Sequence, residues 1–424
     1  MPFHLFERFG VELEYMIVDR ATLAVRPIAD LLLKAAAGLP DAVPDTESNP
    51  EWPGTVDFPN VSWSNELTAH VIEFKTASPA KTLLGLEGVF AEHVQTANRL
   101  LAAHDAVLLP SGMHPTMDPL REMRLWPHDY SPVYETFNRI FDCRGHGWAN
   151  LQSCHLNLPF ATDDTPESEF GRLHAAIRLL LPIMPALSAS TPIMDGVLNG
   201  VRDNRLEVYR TNSRKIPEAA GLVIPEAVFT KGDYDREIFQ KIYSAFAPHD
   251  PEGLLRNEFA NSRGAIARFG RGSIEIRVLD VQECPAADVA ISTLVSEVLR
   301  ALVEGRIGDL GRARAAPVEA LHAVLLRVIR DGESAVVNDD HLMAGLGRVR
   351  GESRTAGEIW KSLAERVKPA LSARCGGALE VILGKGTLAS RITRAVGPAP
   401  SRDAIHSTYR ALAECLHEDR PFVV

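Results

Sequence analysis

The chain has 424 residues, enough for one large domain or two to three ordinary ones, and its 46% hydrophobic and 24% charged content is that of a globular protein with a sizeable core. A formal net charge of −10 excludes non-specific nucleic-acid binding, which needs a basic surface. It leaves room for a small anionic ligand held by local arginines or by metal.

In chain order, Gly10-Val11-Glu12-Leu13-Glu14-Tyr15 alternates acidic and apolar residues. This predicts a strand beginning near Phe9, with no leader domain expected before it, and places Glu12 and Glu14 on one face. Residues 38–64, rich in Pro, Gly, Asn and Asp, predict a long loop. Val71-Ile72-Glu73-Phe74-Lys75 is a second alternating strand. Leu83, Leu86, Phe90, Val94, Ala97 and Leu101 then space an amphipathic helix over residues 80–105. The apolar run Ala106–Leu109 reads as a short strand that breaks at Pro110, and residues 111–132 read as another long loop.

Ser153-Cys154-His155-Leu156-Asn157-Leu158 is a third alternating strand, with His155 and Asn157 sharing a face. Residues 167–189 predict a helix interrupted by Pro182 and Pro185. Residues 192–233 have no sustained period and carry Arg202, Arg205, Arg210, Arg214 and Lys215, either a solvated loop or a lid whose arginines clamp phosphate or carboxylate. Arg263, Arg268 and Arg271 admit the same two readings. The turn Ala267–Ser273 would deliver Arg268 close to the next strand, Ser273-Ile274-Glu275-Ile276-Arg277-Val278, where Glu275 and Arg277 share a face. From 286 to 416 the pattern predicts successive helices, including 286–304, 316–331, 355–371 and 402–416. An α+β part over residues 1–285 is thus expected, with a helical C-terminal region, 286–424, packing on it.

Polar/apolar alternation is what any half-solvated strand shows. Here, however, the inward acid is repeatedly Glu, a poor strand former, and His and Arg complete the set. Carboxylates gathered on one sheet face repel unless cations neutralise them, and oxygen ligands without a Cys or His cluster favour magnesium over zinc. No GxxxxGK[ST], GxGxxG after a strand, HExxH or GxSxG is present, so P-loop, Rossmann, zincin and serine-hydrolase chemistry find no support. Cys143, Cys154, Cys284, Cys375 and Cys415 include no CxxC pair and fit reduced thiols. No secretory signal or membrane span is visible, so a cytoplasmic protein is expected.

Phe9–Tyr15, Ile72-Glu73-Phe74, Cys154-His155-Leu156-Asn157 and Ile274-Glu275-Ile276-Arg277 occur in the order of the glutamate–cysteine ligase family, and over residues 8–300 the chain resembles its bacterial carboxylate–amine ligase (GCS2-type) branch. The resemblance implies a catalytic domain like that of glutamine synthetase: a curled antiparallel sheet, a half-barrel funnel backed by helices, with ATP and two or three Mg2+ ions (Mn2+ as an alternative) on its concave face. It implies Glu12, Glu14, Glu73, His155 and Glu275 as metal ligands, and Arg277 near the transferring phosphate. Together with the arginine readings above, this gives Arg277, Arg210 and Arg268 as the catalytic set and His155, Asn157, Arg214 and Arg263 as nucleotide contacts. Glu66 stands for a further acid of some members, but its odd offset from Glu73 places it off that strand face. The first motif reads Glu-Leu-Glu where three consecutive acids are common; the middle position points into the apolar layer.

The implied reaction joins an amino acid such as glutamate to an amine such as cysteine through an acyl phosphate, with small-molecule partners and neither nucleic acid nor membrane. Two alternatives remain open in the sequence. One is a guanidino-kinase-like phosphotransferase of the same architecture; the other is a non-catalytic binding protein with this fold. The tail after residue 300 matches no motif, and the oligomeric state, a homo-oligomer included, is left open.

Overall fold

The computed structural model describes residues 3–45, 49–161, 164–349, 351–371 and 377–424; Cys375 lies outside these. The strands are β1 (Gly10–Asp19), β2 (Val43–Pro44), β3 (Thr55–Asp57), β4 (Val61–Asn65), β5 (Val71–Thr76), β6 (Ala106–Leu109) and β7 (Ser153–Pro159). They continue with β8 (Ile193–Met194), β9 (Val197–Leu198), β10 (Ala265–Arg268), β11 (Ser273–Asp280), β12 (Val336–Val337) and β13 (Arg354–Thr355). Nine of these form one sheet in the order β10-β11-β7-β1-β5-β4-β3-β2, with β6 also paired to β1. Its pairings are antiparallel and it does not close on itself. β1 lies in the middle because it is long: its first residues pair with β7, its centre with β5 and its last four with β6.

The alternation divides the sheet into two chemistries. Val11, Leu13, Tyr15, Ile72, Phe74, Cys154, Leu156, Leu158, Ile274 and Ile276 are buried on one face. That face belongs to a core running on through helix Pro285–Val303 and into the later helices as far as Leu416. Helix Pro285–Val303 is apolar nearly all round, with 17 of its 19 residues buried, as befits a helix enclosed on every side. It touches helices Leu86–Leu101, Glu169–Leu180, Ala356–Leu371 and Gly377–Lys385.

The expected helices over 286–304, 316–331, 355–371 and 402–416 are present as Pro285–Val303, Val318–Asp331, Ala356–Leu371 and Arg402–Glu418. Two expectations change. The loop expected over 38–64 contains β2, β3 and β4, because Val61-Ser62-Trp63-Ser64 alternates with serine rather than charge and buries Trp63 against Phe74, ring centroids 4.9 Å apart. The basic segment is no loose lid: Asn204–Asn212 is a helix capped by the Asp203 side chain, and Asn204, Arg205, Leu206 and Tyr209 are buried. Arg202 and Asp203 donate backbone hydrogen bonds to the end of helix Val318–Asp331, which pins the segment at its start.

Candidate functional site

Antiparallel register places side chains of directly opposed residues on the same face. Glu12 stands opposite Lys75 on one side and His155 on the other. Glu14 stands opposite Glu73, Glu73 opposite Ser64, and Glu275 opposite Asn157. Four neighbouring strands therefore deliver their ionisable side chains to one patch of the face away from the core.

His155 is the centre of that patch. Its Nδ1 lies 3.0 Å from Glu12 Oε2 and 3.8 Å from Glu275 Oε1, and its Nε2 lies 2.9 Å from Ser153 Oγ. Ser153 donates to Glu14 Oε2 through its backbone N–H at 2.7 Å and its hydroxyl at 2.9 Å. The Ser153 hydroxyl lies between Glu14 and His155 Nε2, and Nδ1 faces the Glu12 carboxylate, surroundings that favour a positive charge on the ring. Burial works against this charge, but the hydrogen bond to Glu12 and the charge of Glu14 hold the His155 pKa above its ordinary value. Asn157 Nδ2 donates to Glu12 Oε1 at 3.0 Å. Gly10 permits this approach, since a Cβ there would sit 2.9 Å from Asn157 Cβ.

On the β5 side, Lys75 Nζ lies 2.8 Å from Glu73 Oε2 and donates to Ser64 Oγ at 2.8 Å. Glu66, one residue beyond β4, joins Glu73 and Glu14. Its offset from Glu73 is odd only when counted along one strand; Glu66 extends β4, and it keeps even parity with Ser62 and Ser64, which stand opposite Lys75 and Glu73. Two ligand sets result, sharing Glu73: Glu12, Glu73 and His155, and Glu14, Glu66 and Glu73, each with one atom per residue within 4.8 Å of the others.

The charges in the second set are poorly balanced. Burial pushes the Glu14 carboxyl up against the pull of His155 and Arg205. Burial, then Glu14 and Glu73, push Glu66 well above the ordinary range. Lys75 is the nearby counter-cation, held charged by Glu73 against the opposing effect of burial. On the other side the balance reverses. Burial and Glu275 would raise Glu12, but His155 and Lys75 bring it below its usual value. Glu275 is held down, against burial, by Arg277, His155 and Arg268.

Arg268 Nη1 lies 2.5 Å from Glu275 Oε2, and Arg277 Nε lies 3.3 Å from Glu275 Oε1 without hydrogen-bond alignment. The structure thus brings together Glu12, Glu14, Glu73, His155, Asn157, Glu275, Arg268 and Arg277, and adds Glu66, Lys75, Ser64 and Ser153. Three other arginines make no ion pair or side-chain hydrogen bond with these residues. Arg210 is taken by Glu207 at 2.5 Å, three residues earlier on its own helix, and Arg214 is exposed. Arg263 is buried, with Nε and Nη2 each 2.6 Å from Glu226 carboxylate oxygens. Lys75 was legible beside Glu73 in the alternating run, and the Ser62–Ser64–Glu66 parity was the available signal for Glu66.

A family model for glutamate–cysteine ligase family 2 (GCS2) matches residues 8–410. The chain belongs to that family. This GCS2 chain is 33% identical over 355 residues to an uncharacterized protein of Archaeoglobus fulgidus, covering 82% of this chain and 91% of that one. Among solved structures, glutamate–cysteine ligase of Francisella tularensis, crystallised in complex with AMP, superposes with a TM-score of 0.58 at 12% identity, covering 98% of this chain and 90% of that one. That likeness establishes the fold. Among the described residues, no helix is long and apolar enough to cross a membrane.

Proposed function

We propose that this GCS2 protein is an ATP-dependent carboxylate–amine ligase that activates an amino acid, glutamate or a close analogue, as an acyl phosphate and transfers it to an amine such as cysteine. The observation that carries this reading is the pair of ligand sets sharing Glu73, flanked by the Glu275–Arg268–Arg277 cluster. Oxygen-rich donors crowded together fit hard divalent cations, and a cation held there would relieve the repulsion that, with burial, pushes Glu66 up.

Glu12, Glu73 and His155 would hold one Mg2+, and Glu14, Glu66 and Glu73 a second. Bound there, the ions supply charge neutralisation to the nucleotide phosphates and to the transferring group. Arg277, anchored to Glu275 on one side, offers its remaining N–H donors to the transferring phosphoryl group. Arg268 fixes Glu275 from the opposite direction. Ser153 and Asn157 hold Glu14 and Glu12 in place, so these two acids would be oriented before a cation binds.

The acid's carboxylate oxygen attacks the γ-phosphorus and releases ADP. The amine nitrogen then attacks the acyl carbon, expels inorganic phosphate and gives up a proton to form the amide.

The test is ADP release by the purified protein with ATP and Mg2+ against panels of acids and amines. The reading expects amide and ADP in equal amounts when acid and amine are both present. ADP formed with a phosphorylated guanidino product and no amide would favour a phosphotransferase, and no nucleotide turnover with any pair would refute the proposal.

A further inference from the structure

The β11–β7 ladder is regular up to Ile276 opposite Leu156 and resumes at Leu279 opposite Cys154. Two residues of β11, Arg277 and Val278, therefore face one residue of β7, His155. This is a β-bulge, a device that re-aims a side chain at the expense of ladder hydrogen bonds. The bulged residue is the arginine beside Glu275, and its backbone is held from outside the ladder. Arg277 N–H donates to the Gly264 carbonyl at 2.9 Å, and the Arg277 carbonyl accepts from Arg205 Nη2 at 2.9 Å.

Arg205 is itself fixed by a buried network. Its Nη1 lies 3.4 Å from Asp280 Oδ1. Asp280 Oδ2 accepts from Ser190 N–H at 2.8 Å, Ser190 Oγ at 3.0 Å and Thr191 Oγ1 at 3.2 Å. Arg205 is 2% exposed and Asp280 is fully buried. Gly112 closes over the pair: a Cβ there would lie 2.7 Å from Asp280 Cγ and 3.0 Å from Arg205 Cδ. A buried ion pair is an expensive way to gain stability, and apolar residues of the same volume would serve as well. What an apolar pair could not do is donate a hydrogen bond to the bulge carbonyl.

We infer that Arg205 and Asp280 form a positioning pair that sets the β11 bulge and thereby the aim of Arg277 toward the reacting phosphate. The inference rests on the ligase reading for its kinetic consequence, but not for its structural one.

The test is the double variant Arg205→Met with Asp280→Asn, which removes both charges and leaves neither buried alone, alongside Arg205→Lys. In wild-type background each should lower kcat at least about tenfold while moving KM for ATP less than about threefold. In an Arg277→Ala background the same changes should lower kcat less than about twofold further, since a residue acting through Arg277 has nothing left to act on. Additive losses in the two backgrounds, or wild-type kcat in the folded double variant, would overturn the inference; should the double variant not fold, Arg205→Lys decides by the same cycle. Crystal structures of the variants provide an arm independent of turnover. Arg277 should leave Glu275, and an unmoved Arg277–Glu275 ion pair would overturn the positioning role. Absence of turnover in the wild-type protein would instead count against the ligase reading alone.

Discussion

Glu66→Gln should make the metal-free protein more stable and the metal-bound protein less competent. Glu14, Glu66 and Glu73 each bring an oxygen within 4.8 Å of the other two. Two unit charges at that separation repel by about 3 kcal/mol at an effective dielectric constant near 20. Lys75, 2.8 Å from Glu73, and solvent on the open side of Glu66 offset part of this, leaving a net relief of roughly 2 kcal/mol on neutralising Glu66. The sign follows from proton linkage. Burial, with Glu14 and Glu73, raises the Glu66 pKa well above the ordinary glutamate value, so the folded protein binds this proton more tightly than the unfolded chain does. Metal-free stability therefore falls as pH rises above that value, and glutamine removes the loss. For a chain of this size roughly 2 kcal/mol corresponds to a melting-temperature rise of about 2 °C. Scanning calorimetry in EDTA at pH 8 measures it, and titration calorimetry with Mn2+ should show at least a tenfold loss of affinity. A lower melting temperature in EDTA together with unchanged Mn2+ affinity would refute the reasoning, because it is what an ordinary structural carboxylate would give.

Glu275→Gln should cost about 100-fold or more in kcat/KM, about 3 kcal/mol of transition-state stabilisation, while retaining a cooperative melt, since the amide keeps the shape but loses the charge that anchors Arg268 and Arg277. Full activity at saturating Mg2+ would remove Glu275 from the site. Burial depresses His70 and His114 to about 4 and His174 to about 3. The unfolded chain thus takes up protons first, and stability present above pH 6.5 is lost as pH falls toward 4, by about 2 kcal/mol per histidine at pH 5. Urea unfolding at pH 7 and pH 5 measures the loss, and His174→Phe should flatten it; identical pH dependence in the variant would contradict the assignment. Arg210→Ala should leave kcat within about twofold of wild type in steady-state assays, because Glu207 already holds Arg210, whereas a tenfold fall would restore the clamp expected from composition.

The site was legible wherever a charged residue interrupts a strongly apolar strand. Glu12, Glu14, Glu73, His155 and Glu275 each sit between residues that need the core, so parity placed each on the polar face of its strand and the family resemblance joined them into one set. Glu66 was hidden because β4 alternates serine with Trp63 inside a stretch rich in turn formers, and its neighbour across the sheet is fixed only by pairing. The arginines divide for a different reason. Composition cannot tell a solvated guanidinium from one paired in the interior, and Arg205, Arg210 and Arg263 acquire Asp280, Glu207 and Glu226 only on folding. Short helices such as Leu310–Ala315 and Leu388–Val396 escaped because so few turns give little period to read.

The central claim, carboxylate activation by phosphoryl transfer at the shared-ligand acid cluster, is tested most directly by oxygen tracing. The acid of the active acid–amine pair, labelled with 18O in the carboxylate, is turned over with unlabelled ATP, and the released phosphate is analysed by mass spectrometry. The account predicts one 18O atom in each phosphate released, carried there from the acyl phosphate. Amide formation with unlabelled phosphate would contradict it.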